Sequence, residues 1–466
     1  GGGPMRRFLL LSQLLLLAGL SPLAGVVITV ETLVDADVAE GLCSLREAIR
    51  AANGDVPHRE CPAGSGTDRI EFEVTGSILL SADLPEITES VDIVGPVGSG
   101  LAIDGGDLFR PFRTAGGSGF ALRITRLALL RGHAADSGGC IAMPAAGDLL
   151  ELQRVFFGGC SSDDDGGAIE AFAVAQTTIR DSIFALNTAG NGGGAVHAWN
   201  FGALTVEDSA FSGNQSGLLG TGSAGAILAD FVDLDLRRST ISGNSARGAG
   251  GGLVISGFSE TTIESATIAG NVAGFSGASG DGGGIAIFTP NVEVTLSNTV
   301  VAGNLDGSPS GSPAADLYLS TGGGLPAVTT SGFNFIGDNA SAAAFFPLSP
   351  GAGQPNANGD FVGDETAPLD PLLGALTDHG GVTPSREPLP GSPLVDQGSC
   401  AAATRDQRGY FRLETGLRVV DDPAVANFAE GCDIGAVELG ATNALGSLVV
   451  GDFESGDFAA WSGSFP

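Results

Sequence analysis

Lysine is absent from this 466-residue chain: its 21 basic residues are all Arg, set against 53 Asp and Glu. The absence removes Lys-based catalysis, Schiff-base cofactors and a phosphate-binding loop, each of which needs that ammonium. A formal net charge of −32 excludes nucleic acid and anionic membrane as partners, since both would be repelled. Cysteine spacings typical of metal sites, such as Cys-x-x-Cys, are missing. Beyond the N-terminal apolar run no segment reaches the roughly 20 residues of a membrane-spanning helix, so an integral membrane protein is not expected. With 43% apolar residues the chain is not a disordered polyanion either. Its acidity suits solubility outside the cell or association with Ca²⁺, and no other cofactor is expected.

What is present is periodic. The phrase Phe-Ser-Gly-Asn at Phe211 to Asn214 recurs in altered copies ending at Asn187, Asn244, Asn271 and Asn304, at steps of 27, 30, 27 and 33. Stepping back by 27 reaches Cys160 and then His133, which gives seven tandem units. A period in this range is the signature of a solenoid whose units bury their apolar faces against one another. Each unit holds three short apolar runs, such as Ala195 to Ala198, Leu204 to Val206 and Ala210-Phe211, and a Gly cluster opens the first of them. Runs this short with alternating apolar positions are strands. Helical solenoids are excluded by 75 Gly, each costing a helix about 1 kcal/mol relative to Ala. The expected fold is all-β, a right-handed parallel β-helix. Asn187, Asn214, Asn244, Asn271 and Asn304 are then inward-facing turn residues that hydrogen-bond along the stack.

The ends carry different signals. Met5-Arg6-Arg7, the apolar stretch Phe8 to Leu20 and the small-residue exit Ala24-Gly25 make a secretory signal within residues 1–25, so an extracellular or cell-surface location is expected. An exported chain oxidises an even set of cysteines, and proximity pairs Cys43 with Cys61, Cys140 with Cys160 and Cys400 with Cys432. Cys140 and Cys160 are expected to staple adjoining coils. Cys43 to Asn53 reads as a short amphipathic helix opened by a Ser44/Glu47 capping box, suited to covering the first coil.

That helix sequence, Cys43-Ser44-Leu45-Arg46-Glu47-Ala48, closely resembles the CSLREA domain of bacterial exported proteins, which implies an N-terminal cap over residues 26–66. Phe333 to Asp338, Asp370 to Gly374, Asp378 to Gly381, Pro390 to Gly398, Asp406 to Gly409 and Asp433 to Glu438 resemble the choice-of-anchor Q domain. That resemblance implies a C-terminal module over 346–440, after a β-helix over 67–345 and before a tail, 441–466, that could serve sorting. Gly166 to Ile169 followed by Phe184 to Asn187 is similar to the repeats of polymorphic outer-membrane adhesins, which implies an exposed binding surface. None of these resemblances implies an established chemistry.

The acidic and aromatic residues allow two functional readings. Asp163, Asp164, Asp165, Asp181, His197, Asp208, Asp233 and Asp235 are the catalytic candidates if the chain is a polysaccharide lyase or glycoside hydrolase, because such chemistry needs paired carboxylates or a base beside a cation. Against it, the column Arg180, Glu207, Arg237, Glu264 alternates in sign and its neighbour Arg154, Asp181, Asp208, Arg238 is balanced, as surface ion pairs would be. Pectinolytic motifs, among them Gly-His-Gly and Asn-Thr-Asp, are missing. Asp163 to Asp165 then form a solvated turn or a weak Ca²⁺ contact, and Thr383 to Arg386 with Asp406 to Arg408 supply buried pairs near the Cys400 to Cys432 loop. His197 and Trp199, on one strand and facing one side, are the binding candidates. The leading expectation is a monomeric, non-enzymatic protein that binds a surface glycan or a host or neighbouring-cell protein; a structural envelope or matrix component is the third reading.

Overall fold

The computed structural model describes residues 25–441 apart from 40, 99, 118, 276–279, 289–290, 309–314, 321–325, 352, 401–404, 415–417, 420–421 and 423. The expected secretory segment (1–25), but for Gly25, and the expected tail (441–466), but for Ala441, lie outside the described residues. Parallel pairing starts where Val27–Val30 lies on Asp68–Phe72 and continues coil upon coil to Phe361–Val362. The chain is a parallel β-helix.

A representative coil runs Ile169–Phe172, Gln176–Arg180, Ile183–Ala185, Thr188–Ala189. The coil therefore has four strand segments where the sequence shows three apolar runs. The fourth has only two residues, too few to produce an apolar pattern. The first segments of successive coils build an eight-stranded sheet and the last a seven-stranded one. The middle two share the largest sheet, and one residue per coil between them, or within the continuous strand Leu149–Gly158, is left-handed. That residue is Arg154, Asp181, Asp208, Arg238, Ser265 or Asn298, each with φ between 43° and 55°. Left-handed backbone at a non-Gly residue bends the strand, and polar side chains tolerate it best.

Inside, apolar side chains stack by type. The Phe184 ring lies 4.5 Å from Phe157 and 4.6 Å from Phe211, both nearly parallel to it. The asparagines stack beside them, each fully or almost fully buried. Asn187, Asn214, Asn244 and Asn271 each donate backbone and side-chain amides to the side-chain oxygen one coil on, at 2.8 to 3.0 Å. Each also donates to a carbonyl one coil back, Phe157, Phe184, Phe211 and Ile241 in turn. A second ladder runs through hydroxyls, in which Ser182, Ser209 and Ser239 accept the amides of Val155, Ser182 and Ser209, each at 3.1 Å. The asparagine series ends on Asp316, whose Oδ1 accepts both amides of Asn304.

One register expectation is corrected. His133 pairs with Ser161, not with Cys160, so the step there is 28 and Gly132 occupies the asparagine position. Close packing requires the glycine, because a Cβ at 132 would lie 2.5 Å from Cys140 Sγ. The expected disulfides are all formed: Cys43 to Cys61, Cys140 to Cys160 and Cys400 to Cys432. Cys140 and Cys160 are 20 residues apart, less than one full turn. Their bond closes a single coil on itself rather than joining two coils.

The first coils are covered by the helix Leu45–Gly54, with Ser44 as N-cap in a complete capping box with Glu47. Beyond the last coil the chain doubles back along the outside of the largest sheet. Thr383 Oγ1 donates to the Asp208 carbonyl at 3.0 Å, Thr240 Oγ1 to Gln407 Oε1 at 2.6 Å, and Asn298 Nδ2 to the Asp433 carbonyl at 3.1 Å. This return segment is held by ion pairs out of water: Asp406 with Arg408 at 2.7 Å, and Glu438 with Arg412 at 3.2 Å. Asp406 with Arg408 is the kind of buried pair expected near the Cys400 to Cys432 loop, whereas Arg386 donates to the Gly374 carbonyl at 2.8 Å. Burial of such a pair is tolerated only with further hydrogen bonds, and Arg412 also donates to the carbonyls of Asp433 and Gly435.

Candidate functional site

The outward face of the eight-stranded sheet differs from the rest of the surface. Pairing puts Glu170, His197, Leu228, Val254, Ala286 and Tyr318 in one row, and Phe172, Trp199, Asp230 and Ser256 in the next. The largest sheet, by contrast, presents charge. Arg180 meets Glu207 at 2.8 Å and Arg238 meets Asp208 at 2.7 Å, so the two sign-balanced columns are in register. Asp235 faces Arg237 at 2.6 Å, Asp181 faces Arg154 at 4.0 Å, and Asp233 accepts the Glu260 amide. These four catalytic candidates are therefore engaged in the lattice of the coils, on a different sheet from His197.

Glu170 organises the site. One of its oxygens lies 2.9 Å from His197 Nδ1 and the other accepts the Trp199 indole N–H. Strand alternation brings residues 197 and 199 to the same face, and the shared carboxylate fixes their rings parallel, with centroids 5.8 Å apart and an angle of 3°. Phe172 supports Trp199 from the preceding coil at 4.6 Å. Burial opposes a charge on His197, but the Glu170 hydrogen bond and charge, with Asp165 and Asp230, outweigh it and hold the pKa above the ordinary histidine value.

Exposure separates the two binding candidates. His197 is 6% exposed and cannot offer its ring to a ligand, whereas Trp199 is 36% exposed. His197 thus positions Trp199 through Glu170. Asp163 to Asp165 do not gather toward one point. Asp164 takes the Asn191 side-chain amide and Asp165 takes the Gly192 amide at 2.7 Å, so the turn is tied to the next coil. Asp165 also approaches His197 Nδ1 at 4.0 Å, which links the triplet to the site.

A ladder of phenylalanines borders this sheet and is not among the sequence candidates. Phe201, Phe231 and Phe258 occupy the bends after the strands Val196–Trp199, Ile227–Asp230 and Leu253–Ser256. Their ring centroids are spaced 6.1 and 6.0 Å, and Phe201 and Phe258 are 65% and 63% exposed. The signal in the sequence is an aromatic recurring at steps of 30 and 27 just after the strand, outside the apolar runs. Phe201 and Phe231 have φ of 71° and 57°. A bulky residue held there costs of order 1–3 kcal/mol, and such strain concentrates at ligand-contacting positions. Phe201 combines both features, an exposed ring on a strained bend, and packing does not explain it.

No family model matches this chain, and no curated protein matches it. Among the described residues no helix is long and apolar enough to cross a membrane. Three disulfides are the mark of a chain that folds in an oxidising compartment.

Proposed function

We propose that this protein is an extracellular glycan-binding β-helix, without catalysis, whose contact surface is the aromatic track of Trp199, Phe201, Phe231 and Phe258. The observation that carries the reading is a row of three rings about 6 Å apart along the coil axis, exposed at Phe201 and Phe258 and half-buried at Phe231, beside a tryptophan pinned by Glu170. Flat rings offer their negative faces to the weakly positive C–H faces of sugars, and an exposed aromatic patch of this kind marks an interaction site. A formal charge of −32 disfavours polyuronates and sulfated glycans, so a neutral glycan is the expected class. Extracellular placement is supported by the disulfides and by the secretory signal read from the sequence.

A glycan array with residues 26–440 tests this directly. Wild-type protein should bind a restricted set of neutral glycans, and Trp199→Ala or Phe201→Ala should lower that signal at least about tenfold. Binding equal in wild type and both variants would remove the track from the account. An empty array together with capture of a purified surface protein would move the reading to protein adhesion.

One observation favours hydrolysis as a second reading: His197 is surrounded by Glu170, Asp165 and Asp230. Glycoside hydrolysis requires two carboxyl groups about 5 to 9.5 Å apart that both reach the substrate. Both Glu170 oxygens are already taken by His197 and Trp199. The geometry therefore suits positioning better than proton transfer.

A further inference from the structure

Three carboxylates meet beneath the N-terminal cap, away from the aromatic track. Asp55 is the C-cap of the helix Leu45–Gly54, at φ 50° with its N–H bonded to the Ala52 carbonyl. Asp68 opens the strand Asp68–Phe72, and Glu89 lies just before the strand Val91–Val94. An oxygen from each lies within 4.8 Å of an oxygen from the other two. None of the three belongs to an ion pair among the described residues.

The interior of the cluster is short of partners. Asp68 is fully buried, and its Oδ1 is held by the amides of Val26 at 3.0 Å and Ser65 at 2.8 Å. Its Oδ2 is buried with no hydrogen-bond donor, and so is Glu89 Oε1. Leaving buried anionic oxygens bare costs more than leaving neutral ones bare. A glycine at 64 leaves room for Asp68 Oδ2, since a Cβ there would fall 2.0 Å from it. Asp55 is exposed and opens the cluster to solvent.

We propose that Asp55, Asp68 and Glu89 form a Ca²⁺ site that fastens the end of the capping helix to the first two turns of the solenoid. Two oxygens on one Ca²⁺ are at most about 5 Å apart, because each bond is about 2.4 Å long. The observed convergence satisfies that limit. An all-carboxylate donor set selects a hard cation, which disfavours Zn²⁺. Ca²⁺ accepts irregular geometry and fills its remaining positions with second carboxylate oxygens and water, whereas Mg²⁺ demands a near-regular octahedron. The ion would link three segments that are separate in sequence, and so stiffen the covered end of the helix.

The test is thermal unfolding of the full chain in EDTA and in CaCl₂, for wild type, Glu89→Gln and Asp55→Asn. Glu293→Gln, an exposed acid on a later coil, controls for bulk acidity. Ca²⁺ should raise the Tm of wild type and Glu293→Gln by roughly 2 °C or more, and that of Glu89→Gln and Asp55→Asn by less than about half as much. In EDTA Glu89→Gln should melt at or above wild type, because it removes one of three crowded like charges. This reversal of order distinguishes a cation site from a merely structural side chain. Equal Ca²⁺ shifts in all four proteins, no shift in wild type, or Glu89→Gln weakened equally in both buffers would each overturn the proposal.

Discussion

The side-chain oxygen of Asn244 receives two hydrogen bonds from Asn214, from its backbone amide at 3.0 Å and its side-chain amide at 2.8 Å. Asn214 in turn donates to the Phe184 carbonyl and accepts both amides of Asn187. Replacing Asn214 with Leu removes the acceptor of both Asn187 amides and the side-chain donor to the Phe184 carbonyl and to Asn244, in a fully buried site. The expected cost is about 3 kcal/mol or more. Thr205→Ala, on the half-exposed outer face, should cost about 0.5 kcal/mol or less. Chemical denaturation of the two variants checks the register, and equal midpoints would contradict it.

The Cys140 to Cys160 bond closes one coil beside Gly132. Non-reducing peptide mapping should recover the three local pairs and no link between Cys43 and Cys432. Replacing both Cys140 and Cys160 with Ser should lower stability by about 3 kcal/mol, the usual value for a loop of this length. Recovery of stoichiometric free Cys140 thiol from the native protein would refute the closure.

Stability should peak under mildly acidic conditions. Burial lifts Asp316 to about 7, Asp433 to about 6 and Asp208 to about 6, in the last case despite Arg238. Each holds a proton in the folded chain at a pH where the unfolded chain has released it. Their contribution therefore weakens as the pH rises from about 4 through 7. His197 acts in the same direction, because its folded pKa is raised. Its stabilisation is complete below about 6.5 and is lost as the pH climbs through the folded value. At Asp35 and Asp136 burial is outweighed, by Arg46 with Ser81 and by Arg110 with Arg113, and both carboxyls fall below the ordinary value. Their stabilisation is present above about 4 and is lost as the pH falls further. Melts in EDTA at low salt should give the highest Tm between about pH 4 and 6 and a lower one at pH 8. A Tm that rises steadily to pH 8 would contradict these assignments.

The solenoid was legible because its largest constraints repeat in the sequence. Asn187, Asn214, Asn244 and Asn271 have to recur once per coil to meet one another, and the stacked phenylalanines at 157, 184 and 211 recur for the same reason. Ser182, Ser209 and Ser239 were harder to recognise, since an isolated Ser in a Gly-rich loop resembles any turn residue. The 28-residue step at Gly132 was hidden because that coil lacks the asparagine. At the site, the pairing of His197 with Trp199 followed from strand alternation. The burial of His197 did not, because it depends on Glu170, one coil earlier and 27 residues back. Phe201, Phe231 and Phe258 sit outside the alternating runs, so a search confined to strands passes over them.

The central claim is that the Glu170, His197 and Trp199 arrangement presents an aromatic surface and performs no bond cleavage. It is tested most directly by incubating the protein with a panel of neutral polysaccharides and polyuronates, with and without Ca²⁺, and following reducing ends and unsaturated-uronate absorbance. Wild type, His197→Ala and Asp165→Asn should all give no product above the blank. Product formed by wild type and abolished by either substitution would contradict the account and place a catalytic centre on this sheet.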